Sequence, residues 1–266
     1  MADPVRLAVE DGVARITIAR PAVRNALNRA TCRALVEALT QAGEHPSVRV
    51  ILLRGEGEEA FCAGADLGEL AELQARGDVL AIRELFSGVA ECILALEESP
   101  VPVVGMVIGH ALGGGLGLAA ACDILYVADD ARLGLPELGV GLFPMVVMAP
   151  ILRSVGRKRA LELIFSAGTI DGAEAARIGL ATRAFPRAEL QPATEQLLER
   201  VAAFRPEILR LGRKAVARTD GLGLREAVPW LLEAGSVVAA SDAARHGVAA
   251  FVERRAARSG SGEVSR

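Results

Sequence analysis

Aromatic residues make up only 3% of this 266-residue chain. Rows of stacking side chains interleaved with basic ones, the mark of a nucleic-acid surface, are therefore missing. A surplus of charge is missing too: 30 Lys and Arg against 33 Asp and Glu leave a net charge of −3, too near balance for a polyanion partner. No apolar run reaches membrane-spanning length, and residues 1–12 lack signal-peptide architecture. A cytoplasmic protein with neither nucleic acid nor membrane as partner is expected. The four cysteines, Cys32, Cys62, Cys92 and Cys122, fall at even spacing, but their neighbourhoods share nothing, so the spacing is no repeat. None forms a CxxC pair; buried free thiols are the expectation. No histidine–carboxylate cluster suggests a metal. GxxxxGK[ST] and GxSxG are both absent, which removes the P-loop and the serine-hydrolase elbow.

Hydrophobic residues, in contrast, make up 52% of the chain, enough for a large core with some surface left for subunit contacts. The organising stretch is 101–137. An apolar, β-branched run (101–108) meets three glycines, Gly113, Gly114 and Gly115. A short helix of small residues follows, then a second apolar run (124–128), then Glu137 directly after Pro136. Glycines where a strand hands over to a helix let backbone approach a ligand closely. The first N–H groups of a helix have no partner inside it and point at whatever lies in front.

Around this centre the pattern reads β/α up to about residue 185 and all-helical beyond. Residues 6–10 and 13–19 form strands across an Asp11-Gly12 turn. Asn28 caps a helix with apolar face Leu35, Val36 and Leu39. Residues 48–53 form a strand, 55–67 a glycine-bearing loop and 79–97 a helix ended by Pro100. Helices are expected over 145–155 and 158–166. Asp171 with Glu174 resembles a capping box, and Gly179 stops the helix it opens. Residues 182–185 form a short strand. From 188 the chain is helical, with breaks at Pro206, Gly221 to Gly223 and Ser241. The expected division is a core domain over 1–185, a helical C-terminal subdomain over 186–255 and a disordered tail over 256–266.

Two glycine loops carry the functional reading. Gly115-x-Gly117-x-x-Ala120 fits a relaxed dinucleotide fingerprint, but the next strand comes too soon for a crossover helix. In the other loop, AFCAGADL, Gly64 lies between alanines and before Asp66. Each loop alone is most simply a tight turn. Together they offer two backbone donors for one developing oxyanion, worth roughly 3–4 kcal/mol each, with Glu137 to move a proton.

These segments resemble the crotonase superfamily, the enoyl-CoA hydratases and isomerases, over about residues 5–255. RPAVRNALN resembles the family's substrate loop and AFCAGADL its first oxyanion loop. GHALGGGLGLAAACDILYVADDARLGLPE resembles its second oxyanion loop and second acidic position, and IDGAEAARIGLATRAFP its downstream helix-and-strand signature. The resemblance implies an α/β spiral of ββα turns with a helical C-terminal region, assembled as a homotrimer or a dimer of trimers. It implies an acyl-CoA substrate, with coenzyme A part of that substrate and no separate cofactor or metal. The N–H groups of Ala65 and Gly114 would hold the thioester oxygen and Glu137 would be the acid/base. Val23, Arg24, Ala63, Asp66 and Leu67 would lie along coenzyme A. Ala22 stands where the family usually has lysine, and Arg24 is the candidate replacement.

Two departures bear on the reaction. The position of the family hydratases' first glutamate is Gly117, between Leu116 and Leu118. The stretch after Pro144, glycine-rich in hydratases, reads Met145, Val146, Val147, Met148. One carboxylate in a dry pocket suits transfer of a proton from C2 to C4, as in a Δ3-to-Δ2 enoyl-CoA isomerase. The alternatives are a hydratase that recruits a substitute such as Glu69, Glu72 or Asp129, or a non-catalytic acyl-CoA-binding protein. His110 reads as a turn histidine and Trp230 as a packing residue. The helix carrying Leu70 and Leu73 is, by the resemblance, a candidate acyl-pocket wall, with a core role the equal alternative.

Overall fold

The computed structural model of the chain describes residues 3–260, with side chains as far as residue 255. It opens with the expected hairpin: β1 (Val5–Glu10) and β2 (Val13–Ile18) pair antiparallel. Both turn residues have positive φ, 49° at Asp11 and 81° at Gly12, as a two-residue I′ turn requires. α1 (Arg29–Glu44) starts where Asn28 accepts from the Thr31 N–H at 2.8 Å. Then come β3 (Val50–Gly55), β4 (Ala60–Cys62), α2 (Leu67–Ala75) and α3 (Val79–Glu97). The next turn is β5 (Val103–Val107), β6 (His110–Leu112) and α4 (Gly114–Ala120). The third is β7 (Ile124–Ala128), β8 (Arg132–Gly134), a 3-10 turn at Pro136–Val140, α5 (Met148–Ser154) and α6 (Arg157–Ser166). β9 (Thr169–Asp171), α7 (Gly172–Arg177), β10 (Arg183–Phe185) and α8 (Arg187–Ala202) complete this part.

The repetition is physical. Each of three successive turns sends a longer strand (β3, β5, β7) to one sheet and a three-residue strand (β4, β6, β8) to another, then adds helix. The larger sheet has order β1-β2-β3-β5-β7-β10 and is parallel beyond the hairpin. The smaller has order β4-β6-β8-β9, with β8 and β9 antiparallel. This is the spiral of ββα turns. The core lies on the larger sheet, whose central strands carry apolar residues to both faces, as strands covered on both sides must. Val50, Ile51, Leu52 and Leu53 are all at most 1% exposed, each such side chain stabilising the fold by about 1.5–3 kcal/mol.

Several expectations need correction. The loop over 55–67 contains β4, and β6 and β8 are strands that no residue pattern announced. The helix expected over 145–155 begins only at Met148; residues 141–147 are loop and turn. Of the two readings of the helix at 67–75, the core one holds for Leu70 and Leu73, which are buried, while Leu67 lines the cleft described below. The first compact unit ends at Ala203, beyond the boundary expected at 185, because α8 packs on the larger sheet. The second unit, from Phe204, holds α9 (Pro206–Thr219), α10 (Leu224–Ala239) and α11 (Asp242–Gly260), broken where expected. α11 continues to Gly260 through part of the stretch expected to be a disordered tail; residues 261–266 lie outside the described residues. Among the described residues, no helix is long and apolar enough to cross a membrane.

All four cysteines are free thiols, with Cys32, Cys62 and Cys92 buried. Burial pushes the Cys62 thiol up to about 12, so it stays protonated and unreactive.

Candidate active site

β4, β6 and β8 are adjacent and parallel, so their carboxyl ends open on the same side. Parallel sheets present ligand sites at that end. Ala65 stands three residues beyond β4, Gly114 two beyond β6 and Glu137 three beyond β8. The Gly113 N–H donates to the Gly134 carbonyl at 3.0 Å, which ties the glycine loop to the segment leading into Glu137. Leu27 holds the other loop: its N–H donates to the Gly64 carbonyl at 2.8 Å and its carbonyl accepts from the Asp66 N–H at 2.8 Å. Ala65 lies between those two bonds, and its own N–H takes part in neither.

The two loops touch. Gly64 (φ 96°) and Gly113 (φ 50°) hold backbone shapes that favour glycine. A Cβ on Gly64 would lie 3.2 Å from the Gly114 nitrogen, and one on Gly114 would lie 3.4 Å from the Ala65 nitrogen. The absence of side chains is therefore what lets the Ala65 and Gly114 peptides come together. Neither N–H donates to another described residue, and Gly114 opens α4, where N–H groups have no intrahelical acceptor.

Glu137 stands over the second loop. A Cβ on Gly113 would lie 2.9 Å from Glu137 Oε1. Glu137 Oε2 is buried and has no hydrogen-bond partner among the described residues. Burial raises the carboxyl above its ordinary range, opposed in part by a bond from its own backbone N–H. A cleft of ≈ 450 Å³ spreads from these groups. Leu67, Phe86 and Val89 form one part of its wall, and Val140, Leu142, Phe143 and Met145 to Val147 another. Glu137 is the one ionisable side chain among the described residues that line it.

The other expected residues are spread more widely. Ala63 and Leu67 line the cleft. Val23 and Arg24 do not; they sit next to it through the Ala63 N–H, which donates to the Arg24 carbonyl at 3.0 Å. The Arg24 guanidinium pairs with Glu59 on the surface at 2.5 Å. Asp66 caps α2, accepting from the Gly68 and Glu69 N–H groups, and pairs with Arg20 at 3.1 Å. The substitutes considered for a second acid lie elsewhere. Glu69 bonds Arg29 at 2.8 Å, Glu72 is exposed, and neither these nor Asp129 lines the cleft. His110 lies on β6, and its Nδ1 is buried without a partner among the described residues.

Sequence reasoning passed over Phe86 and Val89, which look like any other apolar positions of α3. It also passed over Arg20 and Asn25, which set the first loop. Asn25 is fully buried; its amide donates to the Ala60 carbonyl at 2.7 Å and the Glu56 carbonyl at 3.0 Å, and its oxygen accepts from the Arg20 N–H. An asparagine beside a basic residue in a proline-marked loop was the available signal.

The sequence pattern of the enoyl-CoA hydratase/isomerase family matches residues 8–261. The chain belongs to this family. Within it, the chain is 32% identical over 253 residues to the short-chain-enoyl-CoA hydratase of Clostridium acetobutylicum, covering 94% of this chain and 95% of that protein. It is 31% identical to the crotonyl-CoA hydratase of Syntrophomonas wolfei, covering 93% of this chain and 94% of that one. The crystal structure of human enoyl coenzyme A hydratase domain-containing protein 3 matches with a TM-score of 0.89 at 29% identity, over 94% of this chain and 98% of that one. The architecture is the crotonase fold, and the chain is an enzyme of the hydratase/isomerase family.

Proposed function

We propose that this enoyl-CoA hydratase/isomerase family member moves a double bond in an acyl-CoA thioester, with Glu137 as its single proton carrier. The observation that carries the reading is that Glu137 is the only ionisable side chain among the described residues that line the cleft. In this reading the thioester oxygen sits between the N–H groups of Ala65 and Gly114. Glu137 takes a proton from C2 of a 3-enoyl thioester. The C–H electron pair forms the C1=C2 bond, and the carbonyl pair moves onto oxygen as an enolate. The enolate collapses, C2=C3 forms, and the C3=C4 pair takes the proton back at C4. No water or co-reactant is consumed. The two donors act on charge present only during the reaction, which is where a hydrogen bond accelerates most. Burial favours a carboxylate basic enough for this work, since it raises the carboxyl above its ordinary range.

The acyl group would occupy the apolar wall, and coenzyme A would leave past Ala63 and Leu67 towards Val23, Arg24 and Asp66. Arg24 would have to exchange Glu59 for a phosphate to serve there. The reading includes a homotrimer or dimer of trimers. It is supported by apolar side chains left in the open in the C-terminal unit, such as Leu224 (79% exposed), Val237 (67%) and Leu232 (66%).

Hydration is the second reading, because the relatives named above are hydratases. The test is an assay of cis-3-enoyl-CoA and trans-2-enoyl-CoA with wild type and Glu137→Gln. Isomerisation without hydration, lost in the variant, is the expected outcome. Strong hydration by the wild type would overturn it.

A further inference from the structure

The packing around α4 accounts for the lack of a polar group on one side of the cleft. Gly117 follows Gly114 by three residues on α4, so the two lie close on the helix surface, near the cleft that Gly114 lines. Gly117 is nevertheless buried and does not line the cleft, whereas Val147 does. A Cβ on Gly117 would lie 2.6 Å from Val147 Cγ1, 2.8 Å from Val147 Cβ and 3.3 Å from Ile93 Cδ1. The first two distances are below any real carbon–carbon contact. Relief needs more than a rotamer change, because the Val147 Cβ is fixed to backbone and a β-branched side chain is stiff at χ1. Val147 is 5% exposed, so the space beside Gly117 is filled.

We infer that Val147 is a specificity-determining residue: by filling the space beside Gly117 it bars a second polar group and its water from the cleft. The inference rests on the enolate reading above. Hydration differs from double-bond transfer in needing a water placed at C3. The water oxygen bonds to C3, the C2=C3 pair shifts into the thioester as an enolate, and the enolate takes a proton at C2. The proton that the water loses must be accepted and one must be delivered. With one carboxylate and no room for a water-holding partner, that sequence is blocked, while transfer within the substrate is not.

Val147 also stands at the N-cap of α5 without making a cap hydrogen bond. Valine is a poor residue there and glycine a better one, so shortening it removes no cap. The test compares Gly117→Glu, Val147→Gly and the double variant for hydration of trans-2-enoyl-CoA. Neither single variant should hydrate faster than wild type, and the double variant should gain at least about 10²-fold over it, the usual contribution of a positioned acid/base. Hydration by Gly117→Glu alone as fast as by the double variant would overturn the inference. So would a folded double variant that binds acyl-CoA and gains nothing.

A second measurement covers failure of the double variant to fold. A 3-enoyl-CoA deuterated at C2 is isomerised in ordinary water, and deuterium at C4 of the product is counted. Wild type should retain label, and Val147→Ala should retain several-fold less because water reaches the proton on Glu137. Equal retention would overturn the inference. Failure of the enolate reading itself shows differently: wild type and Glu137→Gln would then turn over 3-enoyl-CoA equally.

Discussion

The two sheets of the core unit follow different rules. The larger is made of five- and six-residue strands except for β10, and its central strands are apolar on both faces. Its work is done inside itself. The smaller is made of three-residue strands that could not persist alone. Its work is done just past the strand ends, where Ala65, Gly114 and Glu137 come together. One sheet concentrates stability and the other, in the reading proposed above, carries the chemistry; Gly64 and Gly113 in the loops at its ends hold positive φ.

This contrast can be broken by substitutions that move the wrong quantity. The largest effect expected is from Glu137→Gln, which should lower isomerisation about 10²–10⁴-fold while calorimetry still detects acyl-CoA binding. Loss of binding along with turnover would make Glu137 a structural residue and erase the division. In the larger sheet, Leu53→Ala should cost about 2–5 kcal/mol in urea unfolding, from lost burial and the cavity left behind. Its turnover per folded molecule should stay within a small factor of wild type; a selective collapse of kcat would show that the two sheets are not separable.

The pH dependence sharpens the same contrast at a single side chain. Burial raises the Glu137 pKa in the folded chain. Between the unfolded and the folded pKa the folded state then holds more protons, so stability falls as pH rises through that interval. Activity runs the other way, because the base must be ionised: kcat/KM should fall as pH drops through the raised pKa. Glu137→Gln should therefore raise Tm at neutral pH, and the gain should vanish in acid. A Tm difference that does not change with pH would mean that Glu137 is as well solvated folded as unfolded. The smallest effect expected is from Asn28→Ala, about 1 kcal/mol from loss of the α1 cap, read by the same urea titration with no change in KM.

Much of the larger sheet was legible because its signals are local. The Asp11-Gly12 turn, the Asn28 cap, the Asp171 cap and the apolar run over 101–108 each lie within a few residues, and each appears in the fold. The smaller sheet was not legible. A strand of three residues is too short to show a period, and β4, β6 and β8 are ordered by their neighbours rather than by their own composition. The end of the loop at 141–147 passes for helix in the sequence because its three consecutive apolar residues, Met145, Val146 and Val147, carry no period either. They are apolar because they wall a cleft.

The sequence by itself determined the parts: two glycine loops that permit close backbone approach, one glutamate fixed behind a proline, no charged residue at 117, and the family that joins them. Those are properties of residue type and short spacing. Only the tertiary structure decided what the parts meet. It put the Ala65 and Gly114 peptides in contact through glycines with no Cβ to separate them, left Glu137 Oε2 buried with no hydrogen-bond partner among the described residues, and set Val147 in the space beside Gly117. Contacts between residues far apart in the chain depend on sheet register and side-chain volume, and neither leaves a mark in the local pattern.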